Sequence, residues 1–418
     1  MDKIRIQGGK RLQGKVTISG SKNAALPILI SSLLTAEKCH YNRVPGLDDI
    51  DTTLKVLESL GAGFTRDEGK HEVMLQMRTS EPGPAAYDLV RKMRASVLVL
   101  GPLLARYGHA KVSLPGGCAI GARPIGLHLS ALEKLGGEIR LEGGYVVART
   151  DGLKGAKIVF DFPSVGATEN TMMAAALAQG ETVLENCARE PEIVDLARAL
   201  RAMGLQIEGE GSSTIRIQGR SSLGGCRYNI MGDRIEAGTY LAAGLITGGS
   251  VRTEGISPEW LGSVLDKFED AGAKIERGAD FIALGASGRP RATELTTLPY
   301  PGFPTDMQAQ LMAVFCVANG TSQVTETIFE NRFMHVAELA RLGADISVRG
   351  NVALVKGKDK LTAAPLMATD LRASASLILA ALVAEGESII SRVYHLDRGY
   401  EAIETKLGAL GATIERFA

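Results

Sequence analysis

The chain is poor in several things. One tryptophan and an aromatic fraction of 5% leave little for a base-stacking platform. An excess of charge of one sign is missing, since 47 Lys and Arg stand against 47 Asp and Glu. Bulk nucleic-acid binding, which needs a basic excess to displace counterions, is therefore not expected, although a local cationic pocket is allowed. Long apolar runs are absent. The longest, 24–34 and 375–384, fall short of the roughly 20 residues that cross a membrane. The start, MDKIRI, alternates charge and Ile and lacks the apolar core of a signal peptide. Cys39, Cys118, Cys187, Cys226 and Cys316 are odd in number, scattered and without a CxxC pair, and the His residues show no ligand spacing. Neither a disulfide framework nor a metal site is expected, and no cofactor. The reading is a cytoplasmic protein with no obligate protein partner in evidence.

Glycine, in contrast, is abundant: 49 residues, or about 12% against a usual ~7%. Much of the excess follows from an internal repeat. An apolar residue, a second three positions on, a Gly and then Ile or Phe recur as LESLGAGF at 57–64, LEKLGGEI at 132–139 and LRAMGLQI at 200–207. The series continues with FEDAGAKI at 268–275, LARLGADI at 339–346 and LGALGATI at 407–414. Apolar residues at i and i+3 share a helix face, and a Gly just past the helix takes the left-handed conformation that stops it. Six copies of about 70 residues fill the chain. A second, nearly all-apolar helix is predicted in each copy, at 23–35, 95–107, 168–179, 235–247, 306–319 and 372–385. Gly108, Gly180, Gly249, Gly320 and Gly386 are the expected stops of five of them. Such helices should be buried, and the charged ones ahead of each LxxLG signal half exposed.

Polar residues stand where each apolar helix begins: Lys22 and Asn23, Arg94, the SVGAT run at 164–168, Asp233 and Arg234, Thr305 and Asp306, Asp370 and Arg372. Ser, Thr or Asp there is an ordinary cap. Arginine there opposes the helix dipole and points to an anionic ligand. The stretch LPGGCAIGARP at 114–124 is the most unusual. Its Gly and Pro content predicts an exposed, mobile loop, and Cys118, five residues from Arg123, is the candidate acid or nucleophile. The other four cysteines sit in apolar or strand-like runs and read as structural. A Walker-type loop at 9–15 is dismissed, because Val16 stands where Ser or Thr must bind magnesium.

Together with GSKNAALP at 20–27, MRAS at 93–96, REPEI at 189–193, FPTDMQ at 303–308, ENRFMH at 330–335, TDLRAS at 369–374 and DRGYE at 397–401, these runs resemble the enolpyruvyl transferases over nearly the whole chain. Within that family they resemble the members that act on UDP-N-acetylglucosamine in peptidoglycan synthesis. The shikimate-pathway members share the sixfold plan and lack the PGGC loop. The resemblance implies an inside-out α/β barrel of six βαβαββ units in two three-unit domains around a cleft, 22–229 and 1–21 with 230–418. It implies phosphoenolpyruvate and UDP-N-acetylglucosamine as substrates. Lys22, Asn23, Arg123, Arg332, Arg372 and Arg398 would hold phosphoenolpyruvate, with Lys22, Arg123 and Arg398 on its phosphate and Arg332 and Arg372 on its carboxylate. Asn23, Arg94, Arg123, Pro124, Ile125, Gly126, Leu127, Ser164, Val165, Gly166, Asp306 and Ile328 would hold the sugar nucleotide. Cys118 would donate a proton, form a covalent phosphoenolpyruvate adduct and be the target of fosfomycin. Asp306 would deprotonate the sugar 3-hydroxyl and Asp370 assist. Two departures stand out: Gly126, where relatives commonly carry an acid beside the uracil, and Phe162 in a run where many carry Lys. The residues themselves leave open another acceptor, such as shikimate 3-phosphate, or a repeat protein that only binds nucleotide sugars.

Overall fold

The computed structural model describes residues 2–85, 87–90, 94–114 and 125–418, with Arg94 described in its backbone only. They form two compact units, 20–231 and 2–19 with 232–418.

Each unit is built from three small sheets of one design. A short strand leads into an apolar helix, a parallel partner strand follows, then an outer helix and a hairpin that completes the sheet. In the 20–231 unit, Lys157–Val159 pairs in parallel with Glu181–Glu185, which pairs antiparallel with Thr214–Gln218 and through it with Gln206–Glu208. Cys39–Asn42, Glu72–Met77 and Ala62–Asp67 repeat the order, and the parallel edge comes from the distant Cys226–Asn229. His109–Ser113, Tyr145–Arg149 and Glu138–Glu142 make the third sheet, with a parallel bridge between Ala85 and Val112 at its edge.

The other unit has the same three and adds a two-stranded pair, Leu361–Thr362 with Ala384–Glu385. Glu294–Thr296, Thr321–Thr325, Val352–Lys356 and Asp345–Arg349 form one sheet. Gln13–Thr17 supplies the parallel edge of Ser250–Glu254, Phe281–Gly285 and Lys274–Arg277. Pro365–Met367 and Glu387–Ser391 are completed by Lys3–Gln7 and Thr413–Phe417. Strands from the first 17 residues thus finish two sheets whose other strands lie from residue 250 onward.

The apolar helices are the cores. Arg234–Ile246, Gln308–Phe315 and Leu371–Ala381 are buried along their whole lengths except Leu371, and they pack on one another. Lys22–Ile30, Leu100–Tyr107 and Val165–Ala175 play the same part in the 20–231 unit. The buried charged residues in these helices, Lys22, Glu169, Arg234, Glu236 and Arg372, stand near the helix starts, and beyond these burial of each Leu or Ile contributes about 1.5–3 kcal/mol. The outer helices, such as Asp48–Ser59 and Pro191–Ala202, bury one face only. All six glycines of the repeat signal, Gly61, Gly136, Gly204, Gly272, Gly343 and Gly411, have φ between 89° and 103°, the left-handed stop expected of them.

Several helix limits differ from the sequence reading. The spans expected at 168–179, 306–319 and 372–385 end at Ala175, Phe315 and Ala381. Backbone pairing prevails over a longer helix there: Gln179 bridges Lys154, Asn319 bridges Arg291, and Ala384 pairs with Leu361. The expected stop at Gly249 is corrected to Gly248, which has φ 63°. Gly249 is needed instead for close approach, because a Cβ there would lie 2.0 Å from the Leu12 carbonyl oxygen. Among the described residues no helix is long and apolar enough to cross a membrane.

Candidate active site

In the 232–418 unit the polar helix starts form a charged cluster. Ahead of the Gln308 helix a 3-10 turn, Thr305–Met307, carries Asp306. Its Oδ1 accepts from Arg332 Nη2 at 2.8 Å, and its Oδ2 accepts from Arg372 Nη2 and Nε at 3.1 and 3.2 Å. Arg332 Nη1 also donates to Thr305 Oγ1 at 2.9 Å. Both arginines are nearly sealed from solvent, at 6% and 3% exposure. Burial opposes charge on Arg372, but Asp306, Tyr400 and Asp233 outweigh it and its pKa lies above the usual arginine value. Nη1 of Arg372 is buried without an acceptor among the described residues. A guanidinium fork with one unmet donor suits a planar anion such as a carboxylate.

Asp370 is an N-cap: its Oδ1 accepts from the backbone N–H of Arg372 and Ala373 at 2.9 and 3.0 Å. Asp233 does the same for Ile235 and Glu236. The arginines that follow these caps, Arg234 and Arg372, therefore sit beside the protein's own carboxylates. Those carboxylates, with no ligand needed, answer the arginine charge that the helix dipole disfavours. Arg398 is half-buried in the loop after Val393–His395, next to Asp397, which Arg416 grips at 2.6 and 3.1 Å. Glu326 links the backbone at Ile328 to Thr305, the residue before Asp306, accepting from the Ile328 N–H and from Thr305 Oγ1.

In the 20–231 unit the helix starts are mostly neutral. Ser164 Oγ accepts from the Ala167 N–H at 3.3 Å, and Val165 and Gly166 occupy the first turn. Against Gly166 lies His128, whose Cε1 would be 3.2 Å from a Cβ there. Asn170 Oδ1 accepts the Gly101 N–H at 2.8 Å, so its Nδ2 donates to His128 Nδ1 at 3.1 Å. That bond leaves the imidazole proton on Nε2, the nitrogen beside the helix start. Ile125, Gly126 and Leu127 begin the helix that carries His128. Gly126 is exposed, with nothing within 4 Å of an added Cβ. Lys22 opens its own helix, against the dipole, and is held by Asp49 Oδ2 at 3.1 Å with both groups buried. Asn23 follows it, half-buried.

Cys118, Arg123 and Pro124, with the loop expected at 114–124 beyond Leu114, lie outside the described residues, and so does the Arg94 side chain. Sequence reasoning missed Asp49 as the partner of Lys22, together with His128, Asn170, His335 and Glu326. Polar residues inside otherwise apolar helices were the available signal for Asn170, as for Gln308 and Gln310, both fully buried. His335 is buried, and burial lowers its pKa to about 4, with Asp370 raising it and Arg332 lowering it.

Fold and cluster together define an α/β protein of six like sheets with polar and charged residues at the starts of its buried helices. The model of the EPSP synthase (3-phosphoshikimate 1-carboxyvinyltransferase) family matches residues 6–407, and the chain belongs to this family of enolpyruvyl transferases. It is 59% identical over all 418 residues to a UDP-N-acetylglucosamine 1-carboxyvinyltransferase of Pseudoalteromonas atlantica, covering the whole of both chains. A protein of the same name from Geobacter metallireducens is 57% identical, with 100% of this chain and 99% of that one covered. The crystal structure of the enolpyruvyl transferase NikO from Streptomyces tendae is similar with a TM-score of 0.88 at 26% identity, covering 100% of this chain and 99% of that one.

Proposed function

We propose that the chain transfers the enolpyruvyl group of phosphoenolpyruvate to the 3-hydroxyl of UDP-N-acetylglucosamine and releases phosphate, an early step of peptidoglycan synthesis. Full-length identity of 57–59% to relatives of that activity supports the substrate pair. The observation that carries the chemistry is the Asp306 carboxylate between Arg332 and Arg372.

The reaction needs three things. Phosphoenolpyruvate must be protonated at C3 so that C2 becomes electrophilic, and Cys118 is proposed as the donor. The sugar hydroxyl must lose its proton as it attacks C2, and Asp306 is proposed as the base. A carboxylate so placed contributes typically about 10²–10⁴-fold. The tetrahedral adduct then loses a C3 proton and phosphate, with Asp370 assisting through Oδ2, since Oδ1 serves the cap. Arg332 and Arg372 take the carboxylate of phosphoenolpyruvate in this reading, and the buried Nη1 of Arg372 has a donor for it. Lys22, Arg123 and Arg398 take the phosphate. Asn23, Arg94, Ser164 to Gly166, Ile125 to Leu127 and Ile328 serve the sugar nucleotide, where the N–H groups of a helix start suit its diphosphate. The buried free thiols of Cys39, Cys187, Cys226 and Cys316 suit a reducing compartment, and a cytoplasmic setting is proposed.

The test is product identification. Incubation with phosphoenolpyruvate and UDP-N-acetylglucosamine should yield one phosphate per nucleotide consumed and a vinyl ether at the sugar 3-oxygen by NMR. Phosphate without that ether would defeat the reading.

A further inference from the structure

We infer that Glu326 is the positioning residue that fixes the proposed base, Asp306, and its partner Arg332 against the backbone at Ile328. The inference rests on the assignment of Asp306 and Ile328 to the sugar nucleotide.

Glu326 is 2% exposed and lies just past the strand Thr321–Thr325. Its Oε1 accepts from Thr297 Oγ1 at 2.9 Å and from the backbone N–H groups of Ile328 and Phe329 at 2.8 and 3.1 Å. Its Oε2 accepts from Thr305 Oγ1 at 2.9 Å. Asn351 holds its main chain, accepting the Glu326 N–H at 2.8 Å and donating its side-chain amide to the Glu326 carbonyl at 3.1 Å. All four donors to the carboxylate are neutral.

A carboxylate is an expensive group to bury, and it is tolerated only when hydrogen bonds meet it. The donors here come from three separate segments, and two of them carry proposed site atoms. The Thr305 hydroxyl has one proton. Donating it to Glu326 turns an oxygen lone pair toward Arg332 Nη1, which sits 2.9 Å away. With Nη1 so placed, the planar guanidinium lays Nη2 on Asp306 Oδ1 at 2.8 Å. One oxygen of Glu326 therefore sets the orientation of Asp306 through Thr305 and Arg332, and the other sets the height of the Ile328 backbone.

An amide of the same shape cannot do both. If Glu326→Gln turns its NH2 toward Thr305, the hydroxyl can no longer donate. If it turns the NH2 the other way, it meets three donors. Glu326→Gln should therefore lower kcat about tenfold or more and raise KM for UDP-N-acetylglucosamine about tenfold, the scale of a buried hydrogen bond lost at each end.

The two arms can be separated. Thr305→Val breaks only the Oε2 arm and should lower kcat about tenfold with KM for the sugar nucleotide changed less than about threefold. Thr297→Val removes one of the three donors to Oε1, together with the acceptor of the Thr327 N–H at 2.9 Å, leaves the Oε2 arm in place and should do the reverse. Thermal melts and circular dichroism of each variant accompany the kinetics. Glu326→Gln with wild-type constants overturns the inference. So do threonine variants that shift kcat and KM alike in proportion to lost stability, which is what a merely structural carboxylate gives. If Glu326→Gln does not fold, the two threonine variants still decide. Absence of turnover by the wild-type chain would instead defeat the functional reading itself.

Discussion

The two units repeat one design and begin their central helices in opposite ways. In the 232–418 unit, carboxylates stand at the starts. Asp233 and Asp370 each take two first-turn N–H groups, and Asp306 sits between two arginines. In the 20–231 unit, Ser21 and Ser164 each take one, at 3.3 Å. The buried polar groups beside them are largely uncharged. Asn170 and His128 bond each other, and burial, then Glu192 and Glu190, push the Glu169 carboxyl well above the usual carboxylate range. Lys22 with Asp49 is a charged pair among the described residues there. A carboxylate cap satisfies more donors and cancels the positive end of the helix, whereas a hydroxyl leaves both to an outside anion. In the proposed reading the first unit brings charged side chains to the chemistry, and the second brings helix N–H groups to the sugar nucleotide.

The largest effect is expected at Asp306. Asp306→Asn should cut kcat by about 10²–10⁴-fold, because a neutral amide cannot accept the sugar proton. Steady-state kinetics that show less than a tenfold loss would remove Asp306 from the chemistry. Next, Asp49→Asn should cost about 1.5–3 kcal/mol of stability, since it removes the charged acceptor 3.1 Å from the buried Lys22 ammonium. Denaturant titration measures it, and an unchanged midpoint would mean that the Asp49 charge does not stabilise Lys22.

A third test uses pH. The folded chain holds His335 neutral, with its pKa lowered from 6.5 to about 4. Between those values the unfolded chain binds the extra proton, so stability falls as pH falls through the window. The loss by pH 5 is about 2 kcal/mol, and His335→Gln should abolish that slope. The smallest effect is expected at the serine cap: Ser164→Ala should cost about 1 kcal/mol, with a raised KM for UDP-N-acetylglucosamine and a kcat near wild type.

Much of this was legible before any coordinates. The LxxLG signal located six left-handed glycines, because a helix stop leaves a strong local mark. The apolar helices were found for a similar reason, and only their ends were misread, where pairing at Gln179, Asn319 and Ala384 competes with the helix. The parallel edges from Cys226–Asn229 and Gln13–Thr17 were not legible, since nothing local announces a strand's distant partner. At the candidate site, sequence singled out Asp306, Arg332 and Arg372 but could not show that they bind one another. It read Asp370 as cap or catalyst, and the structure gives the cap geometry. Glu326 carried no signal in the sequence reading, because its role comes from Thr297 and Thr305, about 20 to 30 residues away.

The most direct test of the account is phosphate release with two acceptors offered separately beside phosphoenolpyruvate. Rapid release is expected with UDP-N-acetylglucosamine, none with shikimate 3-phosphate, and loss of the former in Cys118→Ser. Release with shikimate 3-phosphate alone would contradict it.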